Sequence, residues 1–360
     1  MPPGLREIAL LFLKLGTIGF GGPAAHIALM EAEVVRQRRW LTHDEFLDLI
    51  SATNLIPGPN STEMAIHIGY RKAGFPGLIL AGICFILPAA TIVTAIAWAY
   101  VHYGSLPQLG IVLRTVKPII IVVVLQAMWS LGKTALRNTL MAAIAIGSVM
   151  LNVAGVHELV VLLLAGACGA LAGRAHRISS ALSVELLPIF LFFLKVGSIL
   201  FGSGYVLLAF LRADLVDRWH WLSSEQLLDA IAVGQVTPGP VFTTATFVGY
   251  VLAGVPGAGV ATIGIFLPAF LFVVLSGSLV PRIRKSPIAA AVLDGVNAGS
   301  LALMAVVTWQ LLRTAIVDVP TVLIALAGIL GIFVFRLNSA WLVAGAAIVG
   351  IFFYSYAVLP

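Results

Sequence analysis

Residues 56–62, Ile56-Pro57-Gly58-Pro59-Asn60-Ser61-Thr62, stand between two short apolar stretches, and residues 236–242, Val236-Thr237-Pro238-Gly239-Pro240-Val241-Phe242, do the same. Proline removes a backbone N–H and drives the residue before it out of the helical region, so Pro-Gly-Pro cannot continue a helix. The flanking stretches, about 13 residues each, reach only half-way across a ~30 Å hydrocarbon layer, which takes about 20 helical residues to span. The spacing predicts a re-entrant helical hairpin whose tip is Pro-Gly-Pro, once in each half of the chain.

Working outward, the two copies sit in one register. Phe12-Leu13-Lys14-Leu15-Gly16 matches Phe193-Leu194-Lys195-Val196-Gly197 at an offset of 181 residues. The same offset aligns Trp40-Leu41-Thr42 with Trp221-Leu222-Ser223, Asp48 with Asp229, and Thr62 with Thr243. After one deletion, at an offset of 180, Gly69-Tyr70 meets Gly249-Tyr250, Leu87-Pro88-Ala89 meets Leu267-Pro268-Ala269, and Trp129 meets Trp309. The chain therefore reads as two repeats, 1–173 and 185–360, joined by a polar linker at 174–184.

Composition fixes the solvent. The 360 residues are 60% hydrophobic and 10% charged, with a mean hydropathy of +1.07. A soluble domain carries about 25% charged residues. Each half holds a first apolar helix (7–22; 185–203) and a charged amphipathic stretch (26–39; 206–220). The Pro-Gly-Pro hairpin follows, and then four long apolar segments. In the first half these are 74–100, 108–131, 138–152 and 158–173; in the second, 254–280, 288–312, 320–335 and 339–356. The expected fold is an all-α integral membrane protein of two inverted-topology repeats, each with five transmembrane helices plus one re-entrant helical hairpin.

Five is odd, so the halves insert with opposite orientation. Equivalent loops carry opposite charge bias: 101–107 has no Lys or Arg, while its counterpart holds Arg282, Arg284 and Lys285. With both termini outside, these three lie on the cytoplasmic side with Arg36, Arg38, Arg39, Arg71, Lys72, Lys133, Arg137, Arg174, Arg177 and Arg336, as the positive-inside rule asks. Arg6, Arg212, Arg218 and Arg313 face outward. No basic n-region or cleavage site marks a signal peptide near the N-terminus.

Two features carry chemistry. A helix that restarts after Pro-Gly-Pro presents unpaired N–H groups and a positive dipole end, and discontinuous helices at the bilayer midplane are where transporters bind their substrates. Pro57, Gly58, Pro59, Asn60, Ser61, Thr62, Pro238, Gly239, Pro240, Thr243 and Thr244 are the candidate binding residues there; the alternative is a structural kink. Lys14 and Lys195 are equivalent lysines inside the first helix of each half. A lysine in a membrane span is costly unless paired or hydrated, so the pair is a candidate for meeting an anion, against snorkelling or a structural ion pair. Gly21, Gly22, Gly202 and Ser203 break the chain just beyond them, either for close packing or as amide donors.

The acids allow several roles. Asp48 and Asp229 are equivalent and either carry protons or pair with Lys14 and Lys195. Asn60 and Glu63 have capping-box spacing, while Glu63 and His67, one turn apart, have the spacing of a proton relay. Glu31 and Glu33 balance Arg36 and Arg38 on a solvated face. His157-Glu158 lacks the second histidine of a zinc protease, Gly202-Ser203-Gly204 lacks a convincing base, and no Walker pattern is present. Cys84 and Cys168 read as small apolar residues. No catalytic residue, metal or cofactor is expected, nor any nucleic-acid partner.

The stretches Phe12–Pro23 (FLKLGTIGFGGP), Trp40–Pro59 and Gly69–Pro88 resemble the chromate ion transporter family, and the second copy resembles its long, two-half type. The second half departs from the motif, with Gly202-Ser203-Gly204 where the first has Gly21-Gly22-Pro23. The resemblance implies a multi-pass protein of a bacterial or archaeal inner membrane that exports chromate and gives resistance to it. Sulfate is a tetrahedral dianion of similar size, so a sulfate or other oxyanion carrier, or an anion channel, stays open at this point. The partners expected are a chromate- or sulfate-like dianion and the lipid bilayer, with a homodimer left open.

Overall fold

A computed structural model describes residues 4–19, 22–53, 56–103, 107–136, 139–154, 156, 158–170, 186–200, 207–283, 287–335, 337 and 339–358. Gly21, Gly202, Ser203 and the linker 174–184 lie outside the described residues. Every regular element among those described is helical.

In the first half, α1 (Leu5–Ile18) and α2 (Gly22–Glu31) are followed by α3 (His43–Thr53), α4 (Asn60–Tyr103), α5 (Pro107–Ala135), α6 (Thr139–Val153) and α7 (Glu158–Ala170). The second half holds α8 (Leu186–Ile199), α9 (Leu207–Phe210), α10 (Ser224–Val236), α11 (Thr244–Ile283), α12 (Pro287–Ala315), α13 (Val319–Ile329) and α14 (Ser339–Val358). The predicted segments appear with ends shifted by a few residues. The first apolar helix stops at Ile18 rather than Gly22, because the chain extends at Gly19.

The second leg of each hairpin runs into the next long helix through a two-residue kink. Ala73 and Gly74 have φ/ψ of −141/23 and 59/−146; Ala253 and Gly254 have −149/29 and 62/−151. A Cβ on Gly69 would strike Gly77 O, and one on Gly249 would strike Gly257 O. Residues eight apart lie about 12 Å apart along a straight helix, so the chain doubles back at both kinks. Only glycine meets both demands, a positive φ at the corner and no side chain where the legs touch.

The same likeness holds between the amphipathic stretches. The turns at Ala32–Gln37 and Leu211–Arg218 are π-helical, and each ends two residues before a non-glycine residue in the left-handed region, Arg39 (φ 52) and His220 (φ 53).

Two compact units are present, and each draws segments from both halves of the sequence. The first contains Met1–Ala95, Ser179–Leu207 and Thr237–Leu293; the second contains Ile96–Ile178, Leu208–Val236 and Asp294–Pro360. In the first unit, Ile8, Leu11, Phe12 and Leu15 form one buried face of α1, at the spacing of an amphipathic helix, against Met30, Val34, Phe46, Met64 and Phe85. α8 packs along α11. In the second unit, α5 lies against α13 and α14, and α6 against α7.

Among the described residues four helical segments are long and apolar enough to cross a membrane: Asn60–Tyr103, Val112–Trp129, Val241–Ser276 and Asp294–Ala315. Shorter apolar helices occupy Thr139–Val153, Leu186–Ile199, Val319–Val334 and Trp341–Phe352. Large apolar side chains such as Phe75, Leu87, Leu267, Trp309 and Trp341 stay exposed on them. So much bare apolar surface fits lipid rather than water.

Candidate functional site

Both Pro-Gly-Pro tips lie in the first unit, and each makes a matching hydrogen bond to the other half. Gly58 N–H donates to Leu200 O at 2.8 Å, and Gly239 N–H donates to Gly19 O at 2.8 Å. Each tip is thus tied to the residue just past the first helix of the other half. A Cβ on Gly239 would sit 2.7 Å from Ala89 Cβ, and one on Gly58 would sit 3.7 Å from Ala269 Cβ. Ala89 and Ala269 are themselves repeat equivalents. Gly58 and Gly239 have φ of 140 and 96, which the sharp break requires. Gly58, Pro59 and Pro238 to Pro240 are buried; Pro57 and Asn60 are half-buried.

Downstream of each tip a helix begins. Pro59 O accepts from the N–H groups of Thr62 and Glu63, at 2.7 and 3.0 Å, and Pro240 O accepts from Thr243 N–H at 3.0 Å. The leading amides of such a helix have no acceptor within it, and together with the dipole they favour an anion.

The polar side chains of the two tips differ. Thr243 and Thr244 hydroxyls donate to Pro240 O (2.8 Å) and Val241 O (2.9 Å). In the first tip Ser61 is buried, Thr62 Oγ1 is buried with no partner, and Glu63 is 0% exposed with neither oxygen bonded. α4 is already helical at Asn60, and Glu63 makes no capping contact, so the capping-box expectation fails. His67 Nε2 lies 3.4 Å from Ser276 Oγ of α11, and Glu63 makes no hydrogen bond to His67.

Lys14 donates to Glu33 Oε1 at 2.5 Å, and Arg38 Nε lies 3.2 Å from Glu33 Oε2. Asp48 is exposed on α3. Glu33 is buried rather than solvated, because the π-helical turn directs it inward beside α1; Glu31 pairs with Arg36 as expected. In the second half Asp214 is the repeat equivalent of Glu33, is also buried, and accepts from Arg218 at 2.9 Å. Lys195 Nζ lies 5.8 Å from the centroid of the Phe192 ring. The Glu33–Arg38 pair was legible in the sequence, but Lys14 as a partner of Glu33 was not, nor was Asp214. Their signal was available: two acids at one repeat position, each in the stretch that follows a membrane lysine.

The hydrogen bond from Lys14 holds the Glu33 carboxyl below its ordinary value of 4.5, against the upward push of burial and with Arg38 assisting. A carboxyl lowered in the folded state adds stability that is complete above its unfolded value and disappears as pH falls through the folded one. The melting temperature of the purified protein should therefore drop as pH falls below ~4. Glu33→Gln should melt lower at neutral pH and lose part of that acid-side slope. An unchanged slope in the variant would remove Glu33 from the stability balance.

In the second unit Asp229 of α10 meets residues that the sequence did not connect to it. Lys117 Nζ of α5 is 3.3 Å from Asp229 Oδ1, and Tyr100 OH donates to Asp229 Oδ2 at 2.9 Å. Asp229 thus answers Lys117 and not Lys195. The repeat equivalents of Lys117 and Tyr100 are Asn297 and Val280, so the same cluster cannot form a second time around Asp48. Breaking a buried pair by removing one partner costs about 3–5 kcal/mol, whereas replacing both with apolar groups is often neutral. Asp229→Ala should melt well below the parent protein in detergent, and Lys117→Met with Asp229→Leu should recover most of the loss. Equal melting of all three proteins would show the pair to be immaterial.

Gly22 lies at the start of α2, and His26 of that helix donates from Nε2 to Gly19 O at 2.9 Å, the same carbonyl that takes Gly239 N–H. Among the described residues no three His, Cys, Asp or Glu side chains converge as a metal site requires.

Comparison with known proteins gives a consistent answer. The family model described as chromate transporter matches twice, at residues 6–170 and 187–351. A chromate transport protein of Cupriavidus metallidurans is 34% identical over 97% of this chain and 93% of its own length. A probable chromate transport protein of Synechococcus elongatus is 32% identical over 98% and 96%. An uncharacterized transporter of Methanocaldococcus jannaschii is 26% identical over 85% and 84%. No solved structure matches the chain. With broken helices repeated in both halves, apolar helices fit for a bilayer and the family model covering both repeats, this chain belongs to the chromate transporter family.

Proposed function

We propose that this protein exports chromate from the cytoplasm across a bacterial or archaeal inner membrane and thereby gives resistance to it. The observation that carries the reading is that each Pro-Gly-Pro tip bonds to the end of the other half's first helix, Gly58 to Leu200 and Gly239 to Gly19, with both restarting helices in one compact unit. Two positive helix ends suit a compact dianion, and Lys14 and Lys195 supply full charges from the first helix of each half. Gly58 and Gly239 amides are already engaged, so the anion is offered the leading amides of the helices that follow which do not donate to Pro59 O or Pro240 O, with the Ser61 and Thr62 hydroxyls.

Energetics favour this direction. Moving one charge through 100 mV is worth ~2.3 kcal/mol, so a dianion leaving an inside-negative cell gains about twice that without coupling. Residues 1–173 and 185–360 act as inverted repeats about the linker 174–184, each with five spans and a re-entrant hairpin, and alternate access to the site. The opposite Lys/Arg bias of equivalent loops supports that orientation, as do the like kinks at Gly74 and Gly254. The residues open to proton coupling are Asp48, Glu63, His67 and Asp229.

Flux of labelled chromate into inverted membrane vesicles tests the reading, with sulfate as competitor and with an imposed pH gradient. Saturable uptake that an inside-positive potential accelerates is expected. Absence of uptake overturns chromate transport, full inhibition by trace sulfate makes sulfate the substrate, and unitary currents without saturation make the protein a channel.

A further inference from the structure

Glu63 is an obstacle to binding an anion beside it unless its chemistry is considered. The side chain is 0% exposed and both oxygens are without a partner, as is the neighbouring Thr62 hydroxyl. These groups stand in the first turn of α4, immediately behind the tip, where Glu63 Oε1 occupies the space a Cβ on Gly58 would need. The repeat equivalent of Glu63 is Thr244, whose hydroxyl is satisfied by its own turn. Of the first-turn side chains behind the two tips, those left unsatisfied are in the first, Thr62 and Glu63, while Thr243 and Thr244 are satisfied.

Among the described residues no counter-charge is bonded to Glu63. On α4 the next titratable group is His67, engaged with Ser276. α11 carries no Asp, Glu, Lys or His from Thr244 to Ile283, only Arg282 near its far end. The one charge of α8 is Lys195, beside the Phe192 ring. On α1, Lys14 is held by Glu33. α3 carries His43, Asp44, Glu45 and Asp48, and none of these side chains is bonded to Glu63. An ionised carboxylate with neither donor nor cation is strongly unfavourable in a dry interior, and its charge would repel a dianion at the same helix end. Carrying a proton, the same group is neutral and turns from acceptor into donor.

We propose that Glu63 binds the transported oxyanion as a neutral carboxylic acid, donating its O–H together with the Thr62 hydroxyl. This inference rests on the oxyanion-transport reading. It makes the first tip a hydrogen-bond donor site selective for anions that present acceptor oxygens, and it assigns two buried polar groups that otherwise have no partner. Glu63 loses the donor when it ionises, so the site weakens as pH rises.

The test is KM for labelled chromate in proteoliposomes across the alkaline range, where chromate is the dianion throughout. One hydrogen bond to a charged ligand corresponds to about 10- to 100-fold in affinity. KM of the parent protein should rise by that factor with pH. Glu63→Gln, whose amide also donates, should keep the low KM and lose the pH dependence, and Glu63→Ala should start at the high KM. A flat KM in the parent protein, readable without any variant, overturns the inference, and so does Glu63→Gln behaving as Glu63→Ala. In either case chromate flux persists and the transport reading stands. No chromate flux in the parent protein at any pH sinks both.

Discussion

Gly58→Ala should abolish chromate flux while the protein still reaches the membrane. Two costs meet at this position. A Cβ must adopt φ of 140, in a region that non-glycine residues populate at about 1–3 kcal/mol. It must also displace Glu63 Oε1, and overpacking a filled site costs about 1–3 kcal/mol more. Together these shift the population of the native tip by roughly 100-fold or more. Gly239→Ala meets a similar pair of costs, with φ of 96 and Ala89 Cβ 2.7 Å away.

Two other glycines calibrate the result. Gly74 shares a positive φ but a Cβ there touches nothing within 4 Å, so Gly74→Ala should lose only what the backbone strain takes, about 1–3 kcal/mol. Gly259 has neither restriction, and Gly259→Ala should transport normally. Flux per molecule in vesicles, normalised to immunodetected protein, ranks the series. Normal flux in Gly58→Ala would show that the tip geometry is irrelevant to transport.

Lys14→Ala is the second large effect, with chromate flux falling by about 100-fold, because removing one member of a charged, hydrogen-bonded set costs about 2–5 kcal/mol. The structure poses a sharper question than the sequence did, since Lys14 is bonded to buried Glu33. If Lys14 serves the dianion, Glu33 keeps it oriented, and Lys14→Ala with Glu33→Gln stays inactive. If Lys14 only neutralises Glu33, the double variant regains flux. We expect the double variant to stay inactive and Lys14→Arg to keep part of the activity. Lys195→Ala should fall likewise, although its ring contact with Phe192 shows that its surroundings differ from those of Lys14.

The parts of the site that were legible are those fixed by local covalent chemistry. Pro57 and Pro59 lack an N–H wherever the chain goes, so a helix had to stop and restart at Gly58, and the 181-residue register had to place a second break at Gly239. The kinks at Gly74 and Gly254 follow from glycine's freedom at positive φ, and they fall where the sequence separates 60–72 from 74–100 and 241–252 from 254–280. The buried role of Glu33 was missed because a 26–39 stretch with alternating charges looks solvated; a π-helical turn rotates Glu33 onto the face that meets α1.

Apolar length, glycine and proline placement and the double register determined the membrane class, the helical segments and their duplication, because each acts over a few residues or one helix length. The partners of Lys14, Asp229 and the two tips were decided by the tertiary structure alone. Asp229 reaches Lys117 and Tyr100 more than a hundred positions away, and Gly58 bonds to Leu200 across the repeat boundary. Such contacts depend on the path of the whole chain, and a residue's type states only what it must bond to, not which equally suited residue will arrive beside it.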